Sequence, residues 1–143
     1  MATPSRRHRW LLGIRDELQA GGRPYEIEVE PEVRLWLETL TSAEYATALR
    51  FAELLAVKGH ELTEPYAKRL EHGVCELRPG PYRITFRLPG DRRAAVLLTV
   101  FRKRRDNERR EKDRAYQAYA VCAAHHRAPG EHDVFTRSRK GGE

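Results

Sequence analysis

From Tyr25 to Glu30 the chain alternates. Tyr25, Ile27 and Val29 are apolar or aromatic, and Glu26, Glu28 and Glu30 lie between them. A period of two predicts a half-buried strand. Pro31 follows, suited to the first turn of a helix. Val33, Trp36, Leu37 and Leu40 then fall at i, i+3, i+4 and i+7, which is one apolar helix face. Thr41 and Glu44 have the spacing of a capping box and open a second helix. Tyr45, Leu49, Ala52 and Leu55 form its stripe, and Gly59 stands where a terminating glycine belongs. Residues 60–73 carry no period and read as a loop.

Val74–Arg78 reads as a strand, and Pro79-Gly80-Pro81 turns the chain. In the next segment Tyr82, Ile84, Phe86 and Leu88 alternate with Arg83, Thr85 and Arg87, a clear strand signal. Pro89-Gly90-Asp91 turns again. Ala94–Phe101 is apolar apart from Thr99, as expected of a central strand buried on both faces. After the basic run Arg102–Arg105, a last helix capped by Asp106 or Asn107 runs to about His125, with Ala115, Ala118, Tyr119 and Cys122 on its stripe. The elements give an α+β fold of order βααβββα, in which an antiparallel sheet packs against helices. Val96, Leu98, Val100, Ile84 and Phe86 are expected in the core against Trp36, Leu49 and Leu55.

The ends look different from this body. Residues 1–24 are expected to be an N-terminal extension with a short helical stripe (Trp10, Leu11, Ile14, Leu18) that Gly21-Gly22-Arg23-Pro24 ends. Residues 127–143, with Pro129-Gly130 and Gly141-Gly142, are expected to be a flexible tail. The domain is therefore 25–126.

Charge narrows the partners. The 143 residues include 27 Lys and Arg against 21 Asp and Glu, a net +6, with a pI near 9.6. A polyanion is the natural partner. The longest apolar run is far short of the about 20 residues that span a membrane, so a cytoplasmic protein with no membrane partner is expected. Cys75 and Cys122 are the two cysteines. Neither sits in a CxxC or beside ligand-spaced histidines, so neither a structural zinc nor any cofactor is expected on spacing. No Gly-rich phosphate loop, GxSxG or HExxH is present.

Alternation also sorts the charges. Across the 74–78/82–88 hairpin, Cys75 and Leu77 share a face with the apolar set. Arg78, Arg83 and Arg87 gather on the other face around Glu76. Lys68 lies just upstream, and Arg102, Lys103 and Arg104 at the end of the neighbouring strand. Such a face suits a phosphodiester backbone, with Arg forks gripping phosphate oxygens and Lys supplying a point charge. It equally suits a solvated face on a charge-rich protein, with Glu76 as a salt-bridge hub. His72 beside Gly73 reads first as a turn residue, and both cysteines as core.

Three segments in order carry a resemblance. The first is Tyr25–Leu37. The second runs from Pro65 through Lys68, Gly73 and Glu76-Leu77-Arg78 to Tyr82-Arg83-Ile84. The third is Leu97–Arg104 followed by a charged helix. Over about residues 25–124 the chain resembles RelE/ParE-superfamily toxins of type II toxin–antitoxin pairs, and its HigB-like branch most. The resemblance implies a small α+β toxin that cleaves mRNA on the ribosome without a metal and is silenced by a cognate, often helix-turn-helix, antitoxin. Carried over by position, Arg78, Arg83 and Lys103 would be catalytic, with Lys68 next. The charge pattern of the face adds Arg87, Arg102 and Arg104 to Lys68 as RNA- or phosphate-binding. The chain departs from some relatives in having no aromatic before Tyr116 in its last helix, and Glu76 where a lysine stands. Two other readings share the fold: a ParE-like gyrase-inhibiting toxin, and a non-catalytic nucleic-acid-binding regulatory module.

Overall fold

The computed structural model describes residues 24–104, 108–125 and 131–135. The expected leader helix and the caps at Asp106 and Asn107 lie outside them, as does most of 127–143. Strand β1 is Glu26–Val29, helix α1 Pro31–Thr39 and helix α2 Ser42–Lys58. Strands β2 (Ala67–Arg69), β3 (Cys75–Leu77), β4 (Tyr82–Arg87) and β5 (Ala94–Arg102) follow, then helix α3 (Arg109–His125) and strand β6 (Asp133–Val134).

The local signals act as the sequence suggests. Pro31 opens α1. The Thr41 hydroxyl accepts from the Glu44 N–H (3.1 Å), and the Glu44 carboxylate accepts from the Thr41 N–H (2.9 Å), so the capping box is complete. Gly59 ends α2 at φ 55°. A Cβ there would stand 2.2 Å from the Tyr25 ring, so the position demands glycine on two counts. Gly59→Ala is expected to lower the melting temperature markedly, measurable by circular dichroism. A Tm within a degree or so of the parent would mean that Tyr25 simply swings away.

The sheet order is β2-β3-β4-β5-β1-β6. Strands β2 to β5 form the expected antiparallel meander, whereas β1 pairs with β5 in parallel. Two strands were not expected. Residues 67–69, read as loop, pair with β3 in a hairpin whose turn holds His72 (φ 58°) and Gly73 (φ 79°) in the left-handed region, as a primed turn requires. Residues 133–134, in the stretch read as tail, pair antiparallel with β1, and Phe135 is buried.

The sheet has a layer on each side. Helices α1 and α2 bury Val33, Leu37, Ala52 and Leu55 against Ile27, Val29, Leu77, Ile84, Phe86, Ala95 and Leu97. On the other face α3 sets Cys122 on Val96 and Leu98. Val96, Leu98 and Val100 therefore do not share one core face as expected. The ladder pairs Phe86 with Leu97 but Thr85 with Thr99, leaving Leu98 as a bulge residue. The extra residue flips the alternation: Val96 and Leu98 face α3, while Val100 packs with Trp36 and Leu49 on the α1/α2 side.

Candidate functional site

The β3–β4 hairpin builds the centre of the basic face. Glu76 sits mid-β3, only 5% exposed, opposite Lys68 on β2 and Thr85 on β4. Thr85 and Thr99 are buried with their hydroxyl oxygens 2.6 Å apart, so the floor of this face is polar and internally paired. The same Glu76 oxygen lies 3.3 Å from Arg78 Nε and 3.9 Å from Arg83 Nε. Arg83 also donates from Nη1 to the carbonyls of Gly80 (2.9 Å) and Tyr82 (2.8 Å), tying its guanidinium to the turn it borders. Its side chain is 16% exposed. Burial pushes the Arg83 guanidinium pKa down, opposed by Glu76 and aided by neighbouring Arg78. Arg78 Nη1 also lies 3.7 Å from the exposed Glu64 carboxylate, so the two cations share one buried and one exposed carboxylate in a fixed fork.

Lys103 roots at the same place. Its backbone N–H donates to Pro81 O (2.8 Å), beside the turn that joins Arg78 to Arg83. The structure thus brings Arg78, Arg83 and the Lys103 backbone to one corner, with exposed Lys68 across the hairpin. It does not bring in the other three cations. Arg87 is on the expected face but beneath α3, where it donates to Cys122 Sγ (3.3 Å) and lies over the Tyr119 ring (5.1 Å). Arg102 is paired with Tyr82 in the ladder and sits over its ring (5.7 Å), on the α1 side. Arg104 lies beyond β5, its N–H bonded to Glu108 (2.8 Å).

A surface pocket of about 510 Å³ opens beside Lys68, between the β2–β3 turn and the start of α3. His72, Tyr116, Arg109 and Lys112 line it. The His72 and Tyr116 rings meet edge to face at 4.8 Å, and the Tyr116 hydroxyl accepts from the Glu71 N–H (3.4 Å). Sequence reasoning passed over this pair because they lie 44 positions apart. The available signal was helical: Arg109, Lys112 and Tyr116 fall at i, i+3 and i+7, one face of α3.

The family described as Phage derived protein Gp49-like (DUF891) matches residues 35–120. The chain belongs to the Gp49-like family. Its fold is also that of a solved structure. A chain of the archaeal RelE-RelB complex from Pyrococcus horikoshii OT3 superposes with a TM-score of 0.51 at 21% identity, covering 57% of this chain and 98% of that one. The RelBE2 toxin-antitoxin complex of Mycobacterium tuberculosis gives 0.48 at 23% identity, over 57% and 94%. No curated protein matches the sequence. Among the described residues of this Gp49-like chain, no helix is long and apolar enough to cross a membrane.

A second polar cluster lies where β1, β6 and α3 meet. Glu28 and Glu30, expected on the open side of a half-buried strand, are buried. Arg92 pairs with one Glu28 oxygen. The His132 side chain, 1% exposed, places Nδ1 3.0 Å from the other, and its Nε2 lies 3.1 Å from Glu30 Oε1 and 3.6 Å from Cys122 Sγ. Burial pushes the Cys122 thiol pKa up, with Arg87 opposing. Burial likewise raises that of Cys75, with Arg69 opposing. The expectation that the cysteines lack metal-ligand neighbours holds for linear spacing only. Donor atoms of Glu30, Cys122 and His132 lie within 4.8 Å of one another, drawn together from three separate elements.

Proposed function

We propose that this protein is the toxin of a type II toxin–antitoxin pair and that it cleaves mRNA bound to the ribosome, with an antitoxin of helix-turn-helix type as its silencing partner. The observation that carries this reading is the convergence of Arg78 and Arg83 on Glu76 beside the root of Lys103. A gyrase inhibitor has no need of a converged phosphate-binding corner, nor has a regulatory module that only binds.

The chemistry is transesterification. The ribose 2′-oxygen attacks the adjacent phosphorus in line, and the bond from phosphorus to the 5′-oxygen breaks. The products are a 2′,3′-cyclic phosphate and a 5′-hydroxyl. Negative charge grows on the two non-bridging oxygens, where Arg78 and Arg83 stand already oriented, the arrangement in which electrostatic stabilisation is most effective. Lys103 gives a proton to the departing 5′-oxygen, and water takes the 2′-proton. Lys68 holds a flanking phosphate, and the His72–Tyr116 pair offers a ring edge and face to an unstacked base.

Inducing the chain alone, then together with a neighbouring helix-turn-helix reading frame, tests this. Growth arrest with new mRNA 5′ ends, both relieved by co-expression, is expected. Intact mRNA with accumulating DNA breaks would replace this reading with gyrase inhibition. In vitro, RNA affinity should fall steeply as salt rises, because phosphate contacts release counterions; a salt-independent affinity would count against the phosphate-binding corner.

A further inference from the structure

We propose that Glu30, Cys122 and His132 form a zinc site that fastens β6 and α3 to β1. The site is independent of the nuclease reading and lies toward the far end of β4 from Arg83.

The geometry argues for a cation between these atoms. With Zn–N near 2.0–2.1 Å and Zn–S near 2.3 Å, tetrahedral coordination places N and S roughly 3.6 Å apart and N and O roughly 3.3 Å apart. The corresponding separations are 3.6 Å for His132 Nε2 to Cys122 Sγ and 3.1 Å for His132 Nε2 to Glu30 Oε1; the third edge, from a Glu30 oxygen to Cys122 Sγ, is within 4.8 Å, so a bound ion would draw these two atoms together.

The surroundings are those of a metal-bound histidine. His132 Nδ1 faces Glu28 Oε1 at 3.0 Å, where an Nδ1–H would donate to the carboxylate and leave Nε2 directed at Glu30 and Cys122. Arg92 holds the second Glu28 oxygen. A carboxylate behind a ligating imidazole fixes its tautomer and raises its basicity. Arg87 donates an N–H to Cys122 Sγ, as suits a coordinated thiolate. A nitrogen facing a carboxylate and a sulfur at these distances needs a proton or a metal ion among them: the Cys122 thiol proton, a proton on Nε2, or an ion that replaces both. The mixed nitrogen, sulfur and oxygen donor set is that of zinc. Glu30 also lines a surface pocket with Gln117 and Val121, the side from which a water would complete the coordination. Binding releases the Cys122 thiol proton to solvent.

The test uses the tag-free full chain, stripped with chelator and titrated with Co²⁺ alone, then Zn²⁺. The expected result is one equivalent of Co²⁺ giving a sulfur-to-cobalt charge-transfer band and tetrahedral d–d bands, both lost on adding Zn²⁺. The melting temperature should rise with Zn²⁺ and return with chelator. Cys122→Ala should remove the charge-transfer band while Cys75→Ala keeps it, and Glu28→Gln should weaken affinity roughly 10–100-fold. Should Cys122→Ala fail to fold, the parent spectrum and Glu28→Gln still decide. A parent chain with no charge-transfer band and a melting temperature indifferent to Zn²⁺ overturns the proposal, leaving a proton between His132 and Glu30. A band that follows Cys75 instead of Cys122 overturns it equally.

Discussion

Arg83→Ala is expected to lower mRNA cleavage about 10²–10³-fold, the usual loss when one oriented donor to a developing oxyanion is removed. Growth arrest should vanish with it. Three contacts fix this guanidinium: the Gly80 and Tyr82 carbonyls and the Glu76 carboxylate. No other side chain can be held in that way, and Arg83→Lys should recover little, because an ammonium cannot present two N–H groups in a plane. Stability should fall too, by about 1–3 kcal/mol, since two carbonyls lose a donor and a buried carboxylate loses a neighbouring cation. Cleavage must therefore be measured well below the variant's melting temperature. Arg50→Ala, an exposed cation on α2, is the control. Equal losses in both variants would mean that bulk positive charge, and not this corner, accounts for activity.

Phe86→Ala is the largest stability change expected, about 3–5 kcal/mol. The ring is 2% exposed and packs in the cluster that joins β4 to α1 and α2. It sits where the ladder shifts at the bulge, opposite Leu97. Deleting it leaves a cavity that neighbours pinned by sheet hydrogen bonds cannot fill. Urea denaturation followed by tryptophan fluorescence checks this, Trp36 packing against the same cluster. A loss under 1 kcal/mol would show that the core relaxes around the gap.

Much of this was legible in the chain because each side chain's direction follows from a short local period. The alternation in Tyr82–Arg87 placed Ile84 and Phe86 inward and put Arg83 on Glu76's face. Pro31, the Thr41–Glu44 box and Gly59 marked helix ends through backbone chemistry that needs no tertiary partner. What escaped depends on distant segments. Ala67–Arg69 has no alternation to detect; it is a three-residue edge strand recruited by β3. Asp133–Val134 is strand only because β1 offers an edge. The bulge at Leu98 turned Val100 away from Val96, and no residue there announces it. For the site, the face of Arg87 was read correctly, but nothing local says that α3 lies over it. Glu28 and Glu30 looked like solvent positions for the same reason: their cover, Arg92, α3 and His132, arrives from more than sixty residues downstream.

The parallel pairing of β1 with β5 also sets a clock. Glu26 has no partner until Ala94 has been made, and at about 5–20 residues per second that interval is roughly 3–14 s. Until then the first strand waits unpaired, as long-range contacts do in slow-forming topologies, and the sheet that carries Arg78, Arg83 and Lys103 has no centre. β6 then closes the opposite edge of β1 from within the last residues described. The order of assembly thus delays the basic corner: the nascent chain cannot bring Arg78, Arg83 and Lys103 together on a finished sheet while most of it is still being synthesised.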